Sequence, residues 1–138
     1  MSSTASKKND SSLEKLAIQA RQFSHSPYSQ KKVGAAIEFA DGRVSTGCNI
    51  ENASYGGTVC AERVAIWKHV SANKKAKIKK VIVAVDEKNP WPPCGLCLQV
   101  MAEFAGPKTE VICINLEGHK LAYSFKDLLP QAFEGKFL

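Results

Sequence analysis

With 138 residues, 44% of them hydrophobic, the chain is long enough for one domain with a real core and too apolar to be disordered throughout. A formal net charge of +6 permits an anionic partner without requiring one, and no apolar run reaches the length of a membrane span. The segment Met1 to Ser12 is polar and lacks the apolar core of a secretory signal, so a cytoplasmic location with reduced thiols is expected; the odd count of five cysteines also argues against a disulfide framework.

Residues 1–11, rich in Ser, Lys and Asn, are expected to form a disordered polar tail, and residues 12–138 one domain. Leu13, Leu16, Ala17, Ala20 and Phe23 fall at helical spacing, which predicts an amphipathic helix over 12–25 with Ser11 or Ser12 as its cap. Ser26-Pro27-Tyr28-Ser29 breaks it. A buried strand over 33–39, the turn signal Asp41-Gly42 and a return strand over 43–50 follow. A polar loop leads into a densely apolar helix over 59–72. Residues 78–85 read as a central strand, 94–104 as a second buried helix ended by Gly106-Pro107, 110–115 and 119–123 as strands, and 125–129 as a short helix before Pro130. This order predicts an α/β fold: a three-layer α-β-α sandwich around a single mixed five-stranded sheet.

Two stretches carry chemistry. Cys60-Ala61-Glu62-Arg63 opens one predicted helix, and Pro93-Cys94-Gly95-Leu96-Cys97 opens another. Free backbone N–H groups at a helix start stabilise thiolates. Three thiolates can hold Zn²⁺ while a fourth position stays open for water. Three thiolates on Zn²⁺ also leave formal negative charge, which the helix ends and Arg63 would offset. Glu62, two residues from Cys60, is poorly placed to be the fourth ligand and well placed to move protons. A closed structural site is the rival arrangement. His69 lies about two turns from Cys60 and should not reach the metal, whereas His25 and His119 stay open as a fourth ligand. Cys48 and Cys113 read as small core residues. The run Lys74 to Lys80 lacks interleaved aromatics and reads as a solvated surface, so neither nucleic acid nor membrane is expected as a partner.

Cys-x-Glu followed by Pro-Cys-x-x-Cys is the established signature of the zinc deaminases. Gly47 to Tyr55, Val59 to Arg63, Pro93 to Cys97 with Gln99-Val100, Pro27-Tyr28-Ser29 with Val33 to Ala36, and Leu128-Leu129-Pro130 with Phe133 together resemble the short-chain homotetrameric cytidine deaminases. The resemblance runs in family order over nearly all of 13–135. It implies a catalytic domain over 12–138, one Zn²⁺ per subunit, and hydrolytic deamination of cytidine and deoxycytidine in pyrimidine salvage. It further implies attack of a zinc-activated water on C4 of the base, with Glu62 shuttling protons. Asn49 and Glu51 would hold the ribose 3′-hydroxyl, and if the strand runs that far they share one face. Ala61 would join the substrate-binding set. Tyr55 and Phe133 would help complete the site of a neighbouring subunit in a homotetramer.

Two positions depart from the family pattern. Lys31 stands where a phenylalanine contacts the base, and Leu98 stands where an arginine usually follows the last cysteine. The alternatives are a deaminase for another cytosine-bearing small molecule such as blasticidin S, a nucleic-acid editing deaminase, and a non-catalytic zinc module.

Overall fold

The structure, a computed structural model, describes residues 3–138, with side chains described from Asp10 onward; residues 1 and 2 of the expected polar tail lie outside the described residues. Five strands, β1 (Val33–Phe39), β2 (Val44–Cys48), β3 (Ile78–Val85), β4 (Ala105–Ile114) and β5 (Lys120–Ser124), form one sheet in the order β2-β1-β3-β4-β5. The β3–β4 pairing is parallel and the others are antiparallel. The helices are α1 (Ser3–Ala20), α2 (Ala61–Ala72), α3 (Gly95–Ala102) and α4 (Phe125–Leu128).

The layers follow from the period-2 alternation of the strands. Ala35, Ile37 and Phe39 of β1, Val81 and Val83 of β3, and Val111 and Cys113 of β4 share one face. That face is closed by Ala61, Ala65 and Ile66 of α2 and by Cys97, Leu98 and Met101 of α3. The intervening residues Ala36, Ile82, Ala84, Ile112 and Ile114 point the other way and meet Leu13 and Ala17 of α1. Full burial of a side chain such as Ile82 stabilises the fold by about 1.5–3 kcal/mol. The result is the expected α/β sandwich around a mixed five-stranded sheet.

Several element boundaries differ from the expectations. The first helix starts at Ser3 and stops at Ala20, where a 3₁₀ turn over Arg21–Phe23 takes over, so Ser11 and Ser12 are interior residues rather than caps. Asp10 reaches Lys80 at the start of β3, which Glu110 also contacts at 3.2 Å. This ion cluster ties the first helix to the sheet ahead of its apolar stripe. Gly106-Pro107 does not act as a loop after α3. β4 already begins at Ala105, which pairs with Ile78, and a register shift between Ile78 and Lys80 accommodates the proline at the strand start. The return strand ends at Cys48 instead of Ile50; Ile50 is held by isolated bridges to His25 and Val59.

Gly47 sets the height of α2 over the sheet. A Cβ built there would lie 2.5 Å from the Ala61 carbonyl oxygen and 2.7 Å from the Ala65 nitrogen, so the helix sits directly on the β2 backbone. Gly34 plays the same part for α1, with the Ala17 carbonyl 2.0 Å from its would-be Cβ. The two close approaches fix both helical layers to neighbouring strands.

Candidate active site

Cys60 and Cys94 are the N-cap residues of α2 and α3. Both have extended backbones (φ −77°, ψ 157° and φ −71°, ψ 168°), and neither side chain caps its helix. Their sulfurs are therefore free to turn toward each other across the gap between the helix starts. Cys97 lies one turn into α3 and is fully buried. The Sγ atoms of Cys60 and Cys94 are 3.7 Å apart, and those of Cys94 and Cys97 are 3.6 Å apart. Tetrahedral zinc with thiolates at about 2.3 Å requires neighbouring sulfurs about 3.8 Å apart. The donor set and its spacing thus fit zinc.

Among the described residues no histidine joins this trio, whose ligand atoms all lie within 4.8 Å of one another. His69 is at the far end of α2, stacked on Phe39 and hydrogen-bonded to the Lys75 carbonyl at 3.0 Å. His25 belongs to the segment that pairs with Asn49 and Glu51. Three sulfurs with no fourth side-chain ligand favour the open arrangement over the closed structural one.

Arg63 lies one turn beyond Cys60 and donates from Nη2 to its sulfur at 3.5 Å. The three sulfurs share protons. A hydrogen bond from Cys97, followed by Arg63 and Cys94, holds the Cys60 thiol down to about 5. The same hydrogen bond, together with burial, pushes Cys97 far above the ordinary thiol range. Glu62 is only 4% exposed. Burial pushes its carboxyl up to about 7, and the negative Cys60 sulfur adds to the rise. A carboxyl poised near neutrality can both take and return a proton. Cys113 lies near this carboxylate, but burial pushes its thiol up to about 12 and leaves it unreactive. It is the core residue the sequence suggested.

Asn49 and Glu51 turn toward the same segment, residues 24–33, although β2 has ended before them. The Asn49 side chain accepts from the Ser24 hydroxyl at 2.6 Å and the Val33 N–H at 2.9 Å, and donates to the Lys31 carbonyl at 2.7 Å. Glu51 accepts from the backbone N–H groups of Tyr28 and Ser29 and from the Ser29 hydroxyl. Tyr28, Ser29, Glu51, Tyr55 and Thr58 line a cavity of about 390 Å³, with the Tyr28 and Tyr55 rings edge to face at 6.4 Å. Ala61 is fully buried at the start of α2. Phe133 is elsewhere in this chain. Its carbonyl accepts from Gln99 at 2.8 Å, and its ring faces Phe137 beside a larger cleft of about 520 Å³. That cleft contains none of the sulfur ligands or Glu62, so size does not mark the reactive centre.

Ser24, Ser29 and Tyr28 hold the Asn49 and Glu51 side chains, a part that pattern reading did not give them. The Pro27-Tyr28-Ser29 run served there as a helix breaker, although it also belonged to the family resemblance. Lys31 does not face the cavity. Its ammonium is paired with Glu87 in the loop after β3. Leu98 is buried in the core next to Cys97 rather than leaving a gap in charge beside the sulfurs.

Because Gly47 carries the backbone of Ala61, Gly47→Ala should displace the start of α2 together with Cys60. The expected loss is about 1–3 kcal/mol of stability along with weaker zinc retention. Denaturant unfolding and metal analysis check it, and an unchanged midpoint would show that α2 can lift freely.

The family model for the cytidine and deoxycytidylate deaminase zinc-binding region matches residues 7–114. A cytidine deaminase of Halalkalibacterium halodurans is 49% identical over 88% of this chain and 91% of its own length. One of Sporosarcina psychrophila is 42% identical over 88% of this chain and 90% of its own. The crystal structure of the cytidine deaminase from Burkholderia pseudomallei superposes with a TM-score of 0.84 at 42% identity, covering 89% of this chain and 98% of that one. A sulfur trio beside a buried glutamate, on this fold and at these identities, means that the chain belongs to the cytidine and deoxycytidylate deaminase family.

Proposed function

We propose that the protein hydrolyses the 4-amino group of cytidine and deoxycytidine, yielding uridine or deoxyuridine and ammonia. Cys60, Cys94 and Cys97 hold the zinc ion. The observation that carries this reading is the buried Glu62 carboxyl beside three sulfurs at tetrahedral spacing.

When bound, zinc supplies a Lewis acid that makes a water acidic near neutral pH. Glu62 relays the two protons of the attacking water in turn, giving one to the ring nitrogen and the other to the departing amine. Its burial excludes competing water and keeps its proton affinity near neutrality. Arg63 draws negative charge from the Cys60 sulfur. Asn49 and Glu51 bind the sugar hydroxyl, and Ala61 lies against the substrate at the start of α2.

The exposed Tyr55 and Phe133 complete a neighbouring subunit's site in a homotetramer. Residues 12–138 form the catalytic domain, and the enzyme serves pyrimidine salvage in the cytoplasm. Among the described residues, no helix is long and apolar enough to cross a membrane.

Ammonia release from cytidine, deoxycytidine, cytosine, CMP and blasticidin S tests the reading. Turnover of the two nucleosides is expected. Turnover of blasticidin S alone would transfer the site to another cytosine compound, and no release from any of them would leave a zinc-stabilised module.

Lys31 bears on the choice among these substrates. With its charge paired to Glu87, it offers no free cation to a 5′-phosphate, which supports the nucleoside over CMP. Because the Lys31 side chain turns to Glu87 and does not face the cavity, Lys31→Phe should leave the KM for cytidine and the zinc content at parental values, and a lowered KM would bring position 31 against the base. Unimproved cytidine turnover combined with lost activity on CMP would make Lys31 a selector of anions.

A further inference from the structure

We infer that Ser29 is a positioning residue for the nucleoside: it fixes the Glu51 carboxylate in the orientation that receives the sugar hydroxyl. This rests on the reading of Glu51 as a sugar-binding residue. Three donors converge on that carboxylate. The N–H groups of Tyr28 and Ser29 reach Oε1 at 3.0 and 3.1 Å, and the Ser29 hydroxyl reaches Oε2. The direction of the hydroxyl is set from its other side, where Ser29 Oγ accepts the Lys31 N–H at 3.0 Å. Its single proton is therefore committed to Glu51.

The turn that makes this possible has Gln30 at φ 59°, a left-handed conformation uncommon for a residue with a side chain. The Lys31–Glu87 pair holds the far end of the turn to the β3 loop. With Oε1 taking both N–H groups and Oε2 only one donor, Oε2 keeps acceptor capacity for a further hydroxyl. Glu51, Ser29 and Tyr28 also line the same cavity.

The Ser29 hydroxyl is the foremost cause holding the Glu51 carboxyl below its ordinary range. His25 acts in the same direction from the neighbouring segment. Tyr28 and Tyr55 are the other titratable groups at the cavity, and Lys31 is engaged with Glu87. Loss of the hydroxyl therefore raises the pH at which Glu51 takes up a proton. A protonated Glu51 no longer offers the hydroxyl a charged acceptor.

The test uses the zinc-loaded enzyme with cytidine. Ser29→Ala should raise KM by about 10-fold, the value of one charge-assisted hydrogen bond, with kcat changed by less than about 2-fold. The acidic rise in KM should begin at a higher pH than in the parent. Ser29→Thr, which keeps the hydroxyl, should restore both readouts. In a Glu51→Gln background, Ser29→Ala should add nothing. If Glu51→Gln raises KM while Ser29→Ala leaves KM and its pH dependence at parental values, the inference about Ser29 is overturned. If Glu51→Gln itself leaves KM unchanged, the sugar-binding reading of Glu51 fails, and the role assigned to Ser29 fails with it.

Discussion

Glu62→Gln should give a folded, zinc-loaded protein whose kcat/KM for cytidine is lower by at least about 10²-fold. Glutamine keeps the shape and volume of glutamate, so the packing around this nearly buried side chain survives. The sulfur trio does not use the carboxylate, so metal content should stay at the parental level. What disappears is a group able to hold a proton at one stage and release it at another, because an amide does neither. Burial has already tuned the native carboxyl to about 7, where both transfers are close to balanced. Metal analysis run beside the kinetic assay separates the outcomes. Loss of zinc together with activity would make Glu62 a ligand or a structural support, and retained activity would assign the proton transfers to another group.

The core and the metal centre were legible in the sequence because both depend on short-range spacing. Short apolar runs bounded by turn residues marked the strands over 33–39 and 78–85 as buried. Cys-x-x-Cys at a helix start placed two sulfurs one turn apart, and Cys60 needed only a second helix start beside it. Boundaries set by tertiary contacts were less legible. Local composition made Pro107 look like a stop, but the register of β4 against Ile78 admits it into a strand start. The first helix begins ahead of its apolar stripe, and the Asp10–Lys80 contact is a pairing across the fold that no periodicity reveals.

The segment around Asn49 and Glu51 was half legible for the same reason. The family resemblance singled out Asn49 and Glu51. Their partners Ser24, Ser29 and the Lys31 carbonyl lie about twenty residues earlier, on a turn whose left-handed Gln30 carries no compositional mark. Lys31 was read against the base that the family's aromatic residue contacts. Its actual partner, Glu87, is reached only because β1 and β3 are neighbours in the sheet.

Arg63→Gln should lower kcat/KM or zinc occupancy by about 10–100-fold, the usual cost of removing a group that supports metal ligands from outside. Three thiolates crowd negative charge into one pocket, and Arg63 is the cation whose hydrogen bond reaches that charge, at Cys60 Sγ. Trp67, one turn further along α2, lies under the guanidinium with its ring centre 5.8 Å away. The guanidinium is thus held between a sulfur and an aromatic face, a geometry that the point charge of a lysine would not reproduce. Folding should not suffer, because Arg63 Nε is buried without an acceptor among the described residues and its removal relieves an unsatisfied donor.

A charge-only argument predicts recovery when Leu98→Arg is added to the Arg63→Gln protein. Leu98 packs in the same apolar cluster as Cys97 and Met101, so an arginine there must first withdraw its charge from the core. The recovery should therefore be small, and any gain in rate should come with a lower melting temperature. Full restoration without loss of stability would mean that position 98 has open access to the sulfurs. An Arg63→Gln enzyme with parental rate and zinc content would mean that the helix starts alone balance the three thiolates.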